Sequence, residues 1–185
     1  TMGYRFFDLK NQNLLHKEQL PNIKSPRYWG ACDASPLIDN YSNDFIWPTE
    51  SGMIYCGKLN APKQTKKFTY RIPSCPHQGI ESSPSAYKNL VYFTDNGGQV
   101  ICLNTATNQP VWHFDNHDDS DASPVVEVKE EHPFVYVCNE VDKQGKVGIG
   151  GIRKLDGMTG KLMWEYTQVC NSGGAVKILN GGILA

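Results

Sequence analysis

Repetition is the feature that most constrains this chain. Asp33-Ala34-Ser35-Pro36 returns as Glu81-Ser82-Ser83-Pro84 and Asp121-Ala122-Ser123-Pro124, then in degraded form as Asn171-Ser172-Gly173-Gly174, at steps of 48, 40 and 50 residues. A period in that range marks an array of similar units, each unable to bury its apolar face alone, so the units must stack on one another. A second recurrence runs in phase with the first. Leu103-Asn104-Thr105 leads to Trp112 and Leu155-Asp156 leads to Trp164, in both cases nine residues from Leu to Trp, and Phe7-Asp8 leads to His16 at the same offset.

Between these anchors lie β-branched and aromatic runs bounded by Gly, Asn and Asp, the pattern of short strands joined by turns. Leu90-Val91-Tyr92-Phe93, Gln99-Val100-Ile101-Cys102 and Pro110-Val111-Trp112-His113-Phe114 follow one another in one unit; Phe134 to Val137, Gly151 to Leu155 and Leu162 to Tyr166 do so in the next. Each unit therefore holds four strands, A to D, with A directly after the Ser-Pro step. No stretch keeps a helical period over three turns. Four antiparallel strands at this period predict an all-β chain, a β-propeller of four-stranded blades. Residues 4–20 read as strands C and D of a blade, about 30–72, 80–115 and 120–167 as three whole blades, and 170–185 as strand A and the start of B. The two halves sum to a fourth blade in a closed ring, which leaves no sheet edge unpaired; equally, the 185 residues form part of a larger ring.

Composition narrows the function. Eighteen Lys and Arg against nineteen Asp and Glu give a net charge of −1, which argues against a basic groove for nucleic acid. No apolar run approaches the ~20 residues of a membrane-spanning helix. Seventeen Gly and eleven Pro fit a chain of many turns. The six cysteines, at 32, 56, 75, 102, 138 and 170, are never closer than 19 residues, which excludes CxxC redox and zinc spacings. Buried thiols are the expectation, with a rim disulfide of Cys32 to Cys75 or Cys170 if the protein is exported.

Lys154-Leu155-Asp156-Gly157-Met158-Thr159-Gly160-Lys161-Leu162-Met163-Trp164 resembles the tryptophan-docking repeat of the PQQ-like (quinoprotein alcohol dehydrogenase-like) β-propeller family. Cys102 to Trp112 is a second copy with Asn108 in place of Gly, while the first full blade carries Lys66-Lys67-Phe68-Thr69-Tyr70 where the Trp belongs. The resemblance implies structural docking roles for Asp156, Thr159, Gly160, Trp112 and Trp164. Gly160 is expected to supply positive φ, Asp156 to bond back to the turn amides, and each indole to be buried between adjacent blades. Enzymes of the family oxidise alcohols or sugars with pyrroloquinoline quinone and Ca²⁺ over the channel mouth. Their non-catalytic relatives present a surface to partners, and the resemblance also suggests a periplasmic or extracellular setting.

Asp33, Glu81, Asp121 and Asn171 all open strand A, the strand nearest the axis of a propeller. They are expected to converge at one mouth of the channel, where oxygen ligands could hold Ca²⁺ or a cationic group, or else to bond backbone amides. Trp29, four residues before Asp33, would share that rim and could stack on a ligand. The acidic run Asp115-Asn116-His117-Asp118-Asp119-Ser120-Asp121 lacks the Gly and final Glu of an EF-hand loop and reads as a solvated D-to-A loop. The chain has no adjacent Cys pair, no identifiable base and no phosphate-binding or hydrolase signature. The reading is a non-catalytic scaffold that binds a protein partner or small ligand at the propeller mouth. The alternative is part of a quinone-dependent dehydrogenase, which would carry PQQ and Ca²⁺.

Overall fold

The structure is a computed structural model that describes residues 3–19, 32–69, 79–141, 150–168, 177–179 and 182–184. Three four-stranded antiparallel sheets follow the three whole repeats. The first holds β3 (Leu37–Asp39), β4 (Asp44–Pro48), β5 (Met53–Lys58) and β6 (Lys66–Thr69). The second holds β7 (Ser85–Tyr87), β8 (Leu90–Thr94), β9 (Gln99–Asn104) and β10 (Gln109–Asp115). The third holds β11 (Val125–Lys129), β12 (His132–Asn139), β13 (Gly150–Asp156) and β14 (Leu162–Gln168). In each, the strands are paired in chain order, so every connection is a hairpin and the fold is all-β. A hairpin of β1 (Gly3–Asp8) and β2 (Asn13–Gln19) precedes them, and one of β15 (Lys177–Leu179) and β16 (Gly182–Leu184) follows. These two hairpins stand as separate two-stranded sheets, with no ladder joining them among the described residues.

The first strand of each sheet begins at the residue after the repeated Pro, and it is these strands that meet their counterparts, β3 with β7 and β7 with β11. Strand A is thus the inner edge of each blade. Every residue of β8 is buried, as are all but the last of β9, whereas β10 alternates and is mostly exposed. A sheet that buries both faces of its middle strands must be covered on both sides. The cover comes from neighbouring blades. Ile46 and Ile54 of the first blade pack with Val91, Phe93, Ile101 and Leu103 of the second, and Tyr92, Val100, Cys102 and Trp112 of the second pack with Val135, Val137 and Leu155 of the third. Tyr4 and Phe6 of the first hairpin meet Phe45, Trp47 and Tyr55, and Ile178 of the last hairpin meets Tyr136 and Cys138. The core is a series of inter-blade seams, which is the β-propeller arrangement.

The turn from strand C to strand D repeats in detail. Asp8 Oδ1 accepts from the amides of Lys10 and Asn11, Asn104 Oδ1 from that of Ala106 at 2.8 Å, and Asp156 Oδ1 from those of Met158 and Thr159 at 2.9 Å. Four residues on from each, Gln12, Asn108 and Gly160 take φ of 55°, 57° and 73°. A bulge follows at the same place in all three, skipping Leu15, Val111 and Met163, and aims His16, Trp112 and Trp164 back across strand C. Blade one departs from this pattern. Its C-to-D connection carries a short 3₁₀ turn (Pro62–Gln64), β6 has no bulge, and Lys66 stands opposite Cys56 where Trp112 stands opposite Cys102.

Candidate functional site

The Ser of the repeated motif explains why the inner strands sit where they do. The amide of Ser35 donates to Ser83 Oγ at 2.9 Å and that of Ser83 to Ser123 Oγ at 3.0 Å, so each motif is tied to the next by one inter-blade hydrogen bond. The residue two positions earlier in each copy is Asp33, Glu81 or Asp121, and the ladder brings these side chains into one electrostatic neighbourhood. Glu81 hydrogen-bonds Asp121, and Asp33 adds its charge to the same carboxyl. Glu81 Oε1 also accepts from Asn96 Nδ2 at 2.6 Å.

Two further carboxylates join from the third blade, Asp119 in the D-to-A loop and Glu140 just past β12. Burial, and then the charges of Asp121, Glu81 and Glu140, push the Asp119 carboxyl up to about 7, although the Ser120 amide bonds it. Asp121 opens to solvent at the mouth, yet the protein packed around it, followed by the charges of Glu81 and Glu140, raises its carboxyl to about 6. Like charges at this spacing resist simultaneous ionisation, so the cluster holds protons near neutrality. Trp29 and Asn171 lie outside the described residues, as do Cys75 and Cys170.

The acidic run after β10 is more than a solvated loop, because its polar side chains are folded into the seam with blade three. Asn116 is fully buried and its Nδ2 donates to Ser120 Oγ and to the carbonyl of Cys138, which also accepts from Ser120 Oγ. Asp118 is buried beneath Gly98, where a Cβ would sit tightly, 3.0–3.1 Å from the Asp118 backbone. Arg153 of β13 holds the loop from the far side. Its Nη1 donates to Asn139 Oδ1 at 2.6 Å and Asn116 Oδ1 at 3.1 Å, and its Nε to Glu165 at 3.3 Å. Arg153 and Asp119 carry no repeat signal, since no equivalent recurs in the other units, whereas Glu140 shares its place with Asn96 of blade two and Glu50 of blade one.

Asp156 and Thr159 shape the third blade's C-to-D turn, and Gly160 presses its backbone on Trp112, where a Cβ would lie 2.7 Å from ring carbons. Trp112 Nε1 donates to the carbonyl of Gly157 at 3.0 Å, and Tyr92 Oη to the same carbonyl at 3.1 Å. Burial pushes the Asp156 carboxyl up, but hydrogen bonds from His132, Thr159 and the turn amides outweigh it and hold it below the usual range. Trp164 differs from the expectation of a buried indole: it is 39% exposed. The hairpin that follows it supplies strands β15 and β16, which stand where A and B belong, so no C-to-D turn covers it among the described residues. Cys102 and Cys138 are buried free thiols, raised by burial to about 12 and about 11.

The mouth tests poorly as a seat for the quinone. Pyrroloquinoline quinone carries three carboxylates, and the groups gathered here are carboxylates already strained by one another. No three His, Cys, Asp or Glu among the described residues are placed to share a metal ion. The described carboxylates do not suit the three carboxylates of the quinone.

No protein-family model matches the sequence, and no curated protein does. Solved structures do. BamB from Moraxella catarrhalis superposes with a TM-score of 0.62 at 14% identity, over 91% of this chain and 48% of that one. A quinohemoprotein alcohol dehydrogenase from Comamonas testosteroni gives 0.56 at 15% identity, over 76% of this chain and 22% of that one. A europium-containing methanol dehydrogenase gives 0.53 at 17%, over 75% and 26%. The chain thus spans about half the length of the first and about a quarter of the other two. The chain has the fold of the PQQ-like β-propellers.

Proposed function

We propose that this propeller is a non-catalytic binding scaffold whose mouth receives a cationic group, most simply a Lys or Arg side chain of a protein partner. The observation that carries the reading is the convergence of Asp33, Glu81, Asp119, Asp121 and Glu140 along the inner strands, with Asp119 and Asp121 raised. A cation entering such a site relieves repulsion that the protein has built in, so binding releases protons and strengthens as pH rises through the raised range. The fold alone is compatible with catalysis as well as with binding, and fold does not assign chemistry. What favours the scaffold is the donor set, which suits a cation and not a tricarboxylate.

The test is a calorimetric titration of the full-length protein with a short oligolysine peptide at pH 5 and pH 8. The reading expects saturable binding that is tighter at pH 8 and is lost in the combined Asp33→Asn, Glu81→Gln, Asp121→Asn variant. Binding that ignores both the pH change and the variant would place the cation elsewhere and remove the reading. A calcium-stabilised mouth is separated by chelation, which on that alternative lowers the melting temperature of the wild type and leaves the variant unchanged.

A further inference from the structure

The seam between blades one and two contains a cleft that the next seam fills with an indole. In the second seam, Trp112 stands opposite Cys102, Tyr92 stands beside that Cys on β8, and both donate to the carbonyl of Gly157. The register places Lys66, Cys56 and Ile46 at the corresponding positions of blade one. The carbonyl corresponding to that of Gly157 belongs to Thr105, whose amide bonds Asn89 as the Gly157 amide bonds Pro133. Ile46 has no donor to offer it, and Lys66 makes no hydrogen bond or ion pair among the described residues. Both donors that close the second seam are therefore missing from the first.

The result is a cavity of about 400 Å³ between Ile46, Cys56 and Lys66 on one wall and Thr105, Ala106 and Asn108 on the other. Cavities of ~150 Å³ already accept benzene, and small-molecule sites begin near ~300 Å³, so the space exceeds a packing defect. Cys56 Sγ approaches Asn108 Oδ1 at 3.8 Å, which marks where the two walls meet. The charge is asymmetric: Lys58 at the edge is paired with Asp44 at 3.0 Å, whereas Lys66 has no carboxylate partner among the described residues.

We propose that this cleft binds a small planar aromatic acid, about the size of indole with one carboxylate. Its ring lies against Ile46 beside the turn of blade two, where Asn108 stands in the place of Gly160. Its ring N–H donates to the Thr105 carbonyl, and its carboxylate meets Lys66. The site lies among strands C and D and is separate from the acidic mouth, so it stands whether or not the mouth binds cations.

Indole-3-acetate is the probe, titrated calorimetrically into the full-length protein with neutral indole as the companion ligand. The proposal expects saturable one-to-one binding of indole-3-acetate with a Kd below about 1 mM. Lys66→Trp, which places a bulky ring at the cleft, should abolish binding of both ligands. Lys66→Glu keeps the cavity and reverses the charge, so it should weaken indole-3-acetate by about tenfold and leave indole within about twofold. Absence of saturable binding in the wild type overturns the proposal, as does undiminished binding in Lys66→Trp. If Lys66→Trp does not fold, an unchanged ratio of the two ligands in Lys66→Glu overturns it equally.

Discussion

At the scale of single residues, the turn between strands C and D shows what each position contributes. Three turns share one conformation, but only Gly160 adopts the left-handed backbone without a steric cost; Asn108 tolerates it and Gln12 does so at a cost of ~1 kcal/mol. Gln12→Gly is therefore expected to stabilise the protein by up to about 1 kcal/mol, seen as a higher denaturation midpoint at unchanged slope. Gly160→Ala should act in the opposite direction and more strongly, because the new methyl group meets both a strained φ and the Trp112 ring 2.7 Å away. A loss of at least about 2 kcal/mol is expected by chemical denaturation. Asp8, Asn104 and Asp156 were legible as a recurring turn residue because one side-chain oxygen bonding the next amides needs only an Asp or Asn at a fixed offset.

At the scale of elements, the seam is the unit of stability, and one tryptophan does not stand for another. Trp112 lies under the turn of the following blade and is 9% exposed, while Trp164 occupies the same place in its own blade and remains 39% exposed. Trp112→Ala is expected to cost about 3–5 kcal/mol, and Trp164→Ala about 1–2 kcal/mol, in parallel denaturant melts. Equal losses would mean that position in the repeat, and not cover by a neighbour, sets the energy. Sequence periodicity exposed the strands, the hairpin order and the Ser-Pro start of each blade because those features recur. It did not expose Arg153, Asn116 or Asp119, which act once, across one seam, and leave no period to detect. The acidic run reads from its composition as a solvated loop, yet Arg153 and the Cys138 carbonyl pull Asn116 and Ser120 under the next blade. The Lys66 position was visible as a missing Trp; what it opens could be seen only with the facing turn in place.

At the scale of the whole molecule, the inner strands gather negative charge that the net charge of −1 conceals. Asp119 and Asp121 bind protons more tightly when folded, at about 7 and about 6, than the ~3.9 of an unfolded Asp. Their contribution to stability is present at acid pH and is lost as pH rises from about 4 to about 7. Asp156 runs the other way, stabilising above the ordinary carboxylate range and losing that contribution as pH falls below it. The melting temperature should therefore fall between pH 5 and pH 8, and Asp119→Asn with Asp121→Asn should flatten that fall. A melting temperature that climbs over the same interval would contradict the crowded mouth.

The scaffold account and the dehydrogenase alternative part most directly at the quinone. The full-length protein, incubated with pyrroloquinoline quinone and Ca²⁺ and freed of excess by dialysis, is read for retained quinone absorbance and for dye-linked alcohol oxidation. Carboxylates that repel one another also repel the quinone's carboxylates, which predicts neither retention nor turnover. Stoichiometric retention with alcohol-dependent dye reduction would contradict the account and make the chain part of an enzyme.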